Sequence, residues 1–212
     1  MRKDGGDQKK IDSAKNDDPG NPTISFRGEK RKNDTHQSTT DPDSVLYCKA
    51  HGREARLCFG GHLLMENRHG LCADITLHNP IAQPEARVAL RQLDEHKQLH
   101  AGAKPRTLAG DKNYHQKELV RGCRERGIAP HVACKKNLQI PGLDARTTTA
   151  RGYQTSQRVR KRIEEIFGWM KTVGGLRRSR YLGLERTQAW GYFVAGTYNL
   201  LRMARLQTAA AG

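Results

Sequence analysis

The stretch Ser156-Gln157-Arg158-Val159-Arg160-Lys161-Arg162-Ile163-Glu164-Glu165-Ile166-Phe167-Gly168-Trp169-Met170-Lys171-Thr172 decides how the rest of the chain is read. Val159, Ile163, Ile166, Phe167 and Met170 recur at i, i+4, i+7, i+8 and i+11, so the spacing predicts one long helix with a single buried face. At about 100° per residue, Gln157, Arg160, Glu164 and Lys171 fall in a stripe about 60° wide along one border of that face. Glu165 projects about 140° from the apolar centre by the same arithmetic and is expected in solvent. Glu164, half sunk beside the core edge, is the carboxylate placed to meet another element.

Upstream of this helix the apolar period changes. Glu54–Met65 alternates Ala55, Leu57 and Phe59 against Arg56, Cys58 and Gly60, which predicts a strand interrupted at Gly60-Gly61. Leu71–Leu77 is a second strand, and the polar link Glu66–Gly70 makes the two a hairpin. Pro84–Leu99 carries Ala86, Ala89, Leu90 and Leu93 at helical spacing. Thr107–Gly110 is a short apolar run ending on Asp111, followed by a helix over His115–Arg126 that buries Leu119, Val120 and Cys123. Ile128–Cys134 reads as another strand and Lys135–Gly152 as loop. Downstream, Gly174-Gly175 stops the long helix, and Gln188–Leu206 forms a terminal helix over the sheet, with Trp169 and Trp190 as packing residues. Strands interleaved with helices define an α/β domain.

Charge points to a class of partner. Of 212 residues, 38 are Lys or Arg and 22 are Asp or Glu, a net charge of +16. Residues 1–44 hold nine basic and nine acidic residues and almost no apolar periodicity, so they are expected as a neutral, extended or disordered arm. The excess lies in residues 45–212 and is densest over Arg151–Arg186, where ten bases face only Glu164, Glu165 and Glu185. Clustered Lys and Arg are rewarded by phosphate neutralisation and counterion release, so a nucleic acid is the expected partner.

Other classes fall away. The most apolar stretch, Ala189–Gly196, is eight residues long, whereas a membrane span needs about 20. Met1–Gly5 leads into no apolar segment of the secretory kind. Five cysteines, odd in number and irregularly spaced, read as reduced thiols in a cytoplasmic protein. Cys48, His51, Cys58 and His62 are a candidate zinc set by donor type, although their spacing is not that of a finger. Asp111 at a strand end and Glu164 on a helix border are a candidate pair for a divalent cation, since hard ions take oxygen ligands; helix caps and ion pairs are the ordinary alternative for such carboxylates.

Several motifs together carry a resemblance. Asn33–His36 with Ser38–Asp43, Leu64–Gly70, Gly110–Tyr114, Arg160–Glu165 and Phe167–Leu176 resemble, in order and spacing, a bacterial insertion-sequence transposase. The group is the DDE class of the insertion-sequence-four and insertion-sequence-five superfamily, and the likeness covers about residues 26–205. It implies a ribonuclease-H-like mixed sheet flanked by helices, whose three acidic residues hold two Mg²⁺ (or Mn²⁺) ions for attack of water or a DNA 3′-hydroxyl on a phosphodiester. By motif, Asp111 matches the second acid and Glu164 the third, as catalytic residues and metal ligands, 53 residues apart. Arg160 and Lys171 match the basic members of a Tyr-Arg-Glu-Lys signature and take the DNA phosphates. The Tyr position is Gln157.

The front of the chain departs from that pattern. Such transposases carry the first acid in an Asp-Gly-Thr-like sequence within an apolar strand, and residues 1–44 contain no such strand. Asp41 and Asp43 flank Pro42 without apolar neighbours and make poor substitutes, Asp4 and Asp12 poorer ones. Loss of a central strand leaves two strand edges in want of partners. The expectation is therefore an arm over 1–44, a partial catalytic domain over 45–206 with an incomplete sheet, and a flexible tail over 207–212. It is the C-terminal part of a transposase, left by a disrupted element, a frameshift or a misplaced start. Its partners are double-stranded DNA and, when intact, further copies of itself at the bacterial nucleoid. A non-enzymatic basic DNA-binding fragment is the alternative, and a zinc-dependent binding module the third reading.

Overall fold

The interrupted strand over Glu54–Met65 divides at Phe59 into β2 (Arg56–Cys58) and β3 (Gly60–Met65), and the two halves join different sheets. The computed structural model describes residues 32–34, 36–48, 54–102 and 104–211. β2 pairs antiparallel with β1 (Val45–Tyr47), and β3 pairs antiparallel with β4 (Cys72–His78) through the turn expected at Glu66–Gly70. Glu66 shapes that turn by accepting the backbone N–H groups of Arg68 and His69 at 2.6 and 2.7 Å. β5 (Thr107–Gly110) pairs in parallel with β6 (Ala129–Val132). The described strands thus form three two-stranded sheets in a mixed α/β chain.

The helices follow in the expected order. α1 (Glu85–Leu99) begins behind Pro84, whose fixed φ suits a helix start, and buries Ala86, Val88, Ala89, Gln92 and Leu93. α2 (Lys117–Glu125) buries Leu119, Val120 and Cys123 completely. The stretch expected as loop contains α3 (Ala145–Thr148), started by the Asp144 carboxylate, which accepts the N–H of Thr147. α6 runs from Leu184 to Ala211, longer at both ends than its apolar pattern.

The long helix over Ser156–Thr172 is two helices. α4 (Arg151–Val159) and α5 (Arg162–Thr172) meet at Arg160 and Lys161, where Ile163 N and Glu164 N bond Arg160 O and Lys161 O at 3.1 and 3.0 Å. These i to i+3 bonds tighten the turn. The cause lies in what each half packs on. α4 contacts β5 and β6, whereas α5 contacts α6 and β3. Ile166 and Met170 are buried between α5 and α6, each contributing about 1.5–3 kcal/mol of burial. Gly174 has no Cβ to collide with Val194 of α6, and Gly175, at φ +71°, ends the helix.

Two apolar clusters lie on opposite faces of β3. Leu63 and Met65 join Cys72, Ile75, Ile166, Met170, Val194 and Trp190. Leu64 packs on the other cluster, built from α1, α2 and β6. Trp169 and Trp190 pack against the first cluster, as expected, and Trp169 meets Tyr198 edge-on.

Candidate functional site

A groove of about 1770 Å³ opens between β3 and β5, walled by α1, α4 and α5. It gathers the four residues singled out by sequence. Asp111 follows the last residue of β5 and caps a short 3₁₀ turn over Lys112–Tyr114, its Oδ1 accepting Asn113 N–H at 2.8 Å. Glu164 lies in the first turn of α5, and Lys171 in its last. Arg160 stands at the join between α4 and α5. All four line the groove.

Two details differ from the helical-wheel reading. Glu164 is exposed rather than half sunk, because the tight turn at Arg160–Lys161 changes the rotation of α5 relative to α4. Val159, Ile163 and Phe167 are only partly buried and rim the groove, so the buried face is reduced to Ile166 and Met170. Glu165 is exposed and lies outside the groove; its charge is felt by Tyr198 of α6, on the other side of α5.

Gln157, at the signature's Tyr position, does not line the groove. Its amide donates to His131 O of β6, and its Oε1 accepts Arg160 Nε at 2.8 Å. The residue therefore holds a groove cation from behind. Nothing in the sequence period marks this role.

The groove is predominantly basic along its rim, where Arg68, Lys104, Arg106 and Arg151 add to Arg160 and Lys171. The opposing carboxylates are Glu66, Glu85, Asp111 and Glu164. Arg106 and Arg68 lie outside the densest basic stretch of the sequence and were missed for that reason. On the floor, His62 Nδ1 lies 3.1 Å from Tyr114 Oη, and its ring meets that of His78 at 4.7 Å, tilted by 41°. Burial, then His78 and Arg91, depress the His62 pKa to about 4, so the ring is neutral near pH 7. Burial pushes the Tyr114 hydroxyl well above its ordinary range, with Glu85 and Asp111 adding to the effect.

Asp111 and Glu164 fit a divalent cation by donor type: both are exposed carboxylates outside the ion pairs formed among the described residues. Among those residues, however, no group of three His, Cys, Asp or Glu side chains is assembled for a metal. The candidate zinc residues have other surroundings. Cys58 pairs in register with Val45, His62 meets Tyr114, and His51 lies outside the described residues. None of the five cysteines, all among the described residues, is joined in a disulfide. Asp41 and Asp43, weighed as substitutes for a first acid, do not line the groove and instead accept the N–H groups of Gly183 and Leu184.

This arrangement of an acidic pair within a basic groove of an α/β chain has a counterpart in sequence. Residues 27–200 match the transposase DDE domain, and the chain belongs to that family. No curated protein and no solved structure matches it. Among the described residues no helix is long and apolar enough to cross a membrane.

Proposed function

We propose that the chain is a DDE transposase polypeptide of the insertion-sequence-four/five type, binding duplex DNA at the ends of a mobile element through the groove between β3 and β5. The observation that carries this reading is the convergence of Asp111, Glu164, Arg160 and Lys171 on one groove from three separate elements. Arg160 and Lys171 grip backbone phosphates, Arg160 as a planar fork and Lys171 as a point charge. Asp111 and Glu164 are the residues that would hold Mg²⁺ or Mn²⁺, which when bound supplies charge stabilisation to the attacking and leaving oxygens of phosphoryl transfer. The domain is residues 45–206, of ribonuclease-H-like architecture, and the enzyme acts as a homo-oligomer at the nucleoid.

The experiment is duplex binding and cleavage by the purified chain. Binding to duplex DNA is expected to weaken steeply with salt, and the Arg160→Ala, Lys171→Ala double variant to lower the slope of log K against log salt by about 1.8. Because no third acid is assembled with Asp111 and Glu164 among the described residues, Mg²⁺-dependent cleavage by the chain alone is expected to be weak or absent, and what there is to vanish in Asp111→Asn or Glu164→Gln. Duplex affinity and salt slope unchanged by the double variant would remove the groove from DNA recognition. Residual cleavage unchanged by both carboxylate substitutions would remove the acidic pair from the chemistry.

A further inference from the structure

We infer that the outward face of α6 is a self-association surface, on which α6 of a second copy of this chain packs antiparallel, with Leu200 of one copy against the partner's Gly196. The inference rests on the homo-oligomer of the proposed function and deepens it by naming the surface that joins the copies.

The helix has two apolar faces, and the domain uses one. Thr187, Gly191, Val194 and Ala195 are buried, the last two in the cluster shared with β4 and α5. On the opposite side Ala189, Phe193, Gly196, Leu200, Met203 and Gln207 are all exposed. They follow one another at steps of 4, 3, 4, 3 and 4 residues, the alternation of a seam between two helices. At about 100° per residue they fall in one stripe about 80° wide, facing away from the buried side. A helix that is apolar on both sides is one that buries both sides. Among the described residues nothing covers the second.

Gly196 indicates a close approach from outside. Glycine weakens a helix interior relative to alanine, and within this chain nothing uses its smallness. A Cβ at Gly196 meets no atom within 4 Å, whereas one at Gly191 meets Ile75 and Leu77 of β4. At the centre of an exposed seam, the missing side chain leaves room for a bulky one from a facing helix. Antiparallel pairing puts Leu200 of each copy over the partner's Gly196, and Phe193 beside the partner's Met203, whose flexible thioether adapts to an aromatic ring. A parallel pair instead sets glycine against glycine and leaves a void, which forfeits packing contacts.

Charge and size select a second copy as the occupant. With a net charge of +16, two copies repel over most of their surfaces. Between Ala189 and Gln207 the only charged residues are Arg202 and Arg205. Arg202 Nε donates to His69 O at 2.8 Å, which ties it to the β3–β4 turn, and Arg205 projects about 170° from the centre of the stripe. The seam is therefore a face on which like-charged copies meet without like charges. Phe193, Leu200, Tyr192 and Met203 are 72, 66, 56 and 41% exposed. With the small residues between them they offer on the order of 600 Å² on each copy, enough for a specific interface of the smaller kind. Residues 1–31 hold only Ile11, Ile24 and Phe26 as large apolar side chains besides Met1, without the 4-3 alternation, and so supply no matching seam.

The test is sedimentation equilibrium of the full chain without DNA. A concentration-dependent rise from 23.8 kDa towards twice that mass is expected. Leu200→Glu and Phe193→Glu should each raise the dimer dissociation constant about tenfold or more, with the far-UV circular dichroism unchanged because both side chains point away from the core. Leu182→Glu, 54% exposed but ahead of α6, should leave the dimer intact. The double variant Phe193→Glu, Met203→Lys should recover the dimer, since antiparallel pairing sets each Glu beside the partner's Lys and parallel pairing sets like charges together. A parent that stays at 23.8 kDa at every concentration, a dimer that persists in Leu200→Glu, or a double variant as monomeric as Phe193→Glu overturns the inference. Duplex binding is measured separately. A monomer that still binds duplex through Arg160 would sink the seam and leave the transposase reading standing, whereas a dimer whose duplex binding ignores Arg160→Ala, Lys171→Ala would do the reverse.

Discussion

Asp43 Oδ2 accepts the backbone N–H of Leu184 at 2.9 Å, linking residues 141 positions apart. Asp41 Oδ1 accepts the neighbouring N–H of Gly183 at 3.2 Å and that of Asp43 at 3.3 Å. Two carboxylates thus stand at the positive end of α6, where orphan N–H groups and the helix dipole both favour negative charge. They explain why α6 begins at Leu184, four residues before its apolar pattern, and they tie Thr40–Ser44 to the body of the domain. Substituting either by Ala is expected to cost about 1 kcal/mol, as for other N-caps. Urea melts of Asp41→Ala, Asp43→Ala and the double variant, beside duplex binding, check this. A double variant as stable as the parent, or one that keeps stability but loses DNA, would remove the cap from these residues.

The outer edge of β4 gives a second prediction. Asn199→Ala leaves the Cys72 N–H and C=O without their partner, and Gln188→Ala does the same for Leu77 N–H and Ile75 O. Each loss is expected to cost about 1–3 kcal/mol if the groups stay dry. An opened edge also offers itself to other chains, so the variants should aggregate sooner on heating. Light scattering and chemical denaturation together decide the matter. Parent-like behaviour in both would mean that water replaces the amides without penalty.

Protonation of His62 supplies the third. Its pKa in the fold, about 4, lies below the ordinary 6.5, because burial, His78 and Arg91 all oppose the charged ring. The unfolded chain therefore takes the proton first. Stability is full above about pH 6.5 and falls as the pH drops towards about 4, below which both states are protonated and the slope disappears. His78, His96, His115 and His131 are displaced in the same direction, each chiefly by burial, and add to the decline. His62→Gln, which keeps a polar partner for Tyr114, should reduce the slope by up to about 1.4 kcal/mol per pH unit. A His62 ring titrating near 6.5 by NMR, or an unchanged slope in the variant, would contradict it.

Much of the element order was legible in the sequence because burial writes a period. Leu119, Val120 and Cys123 recur as one helical face and are completely buried, and the Glu66–Gly70 turn closes the hairpin between β3 and β4. The four groove residues were legible as well, two from a strand end and a helix border and two from the signature spacing. What escaped the sequence involves side chains serving distant backbone. Asn199, Gln188 and Gln157 are ordinary polar residues by period, yet each bonds the backbone of a strand more than twenty positions away. The break at Arg160–Lys161 escaped for a related reason: an unbroken apolar period says nothing of two helix halves drawn to different partners.

Gln157 carries the last prediction because it joins both omissions. Its amide spans from His131 O of β6 to Arg160 Nε, so the guanidinium that faces the groove is oriented from outside it. Removing the amide in Gln157→Ala leaves the charge of Arg160 in place but frees its side chain. The loss of one hydrogen bond, about 0.5–1.5 kcal/mol, corresponds to about a two- to tenfold drop in duplex affinity if the whole effect falls on Arg160. The number of phosphates neutralised is unchanged, so the slope of log K against log salt should match the parent. Arg160→Ala differs in kind: it removes a cation and should lower that slope by about 0.9. Measured side by side, an affinity loss without a slope change marks Gln157 as a positioning residue. Full affinity in Gln157→Ala, or a slope as low as that of Arg160→Ala, would show that the contact does not set the Arg160 guanidinium.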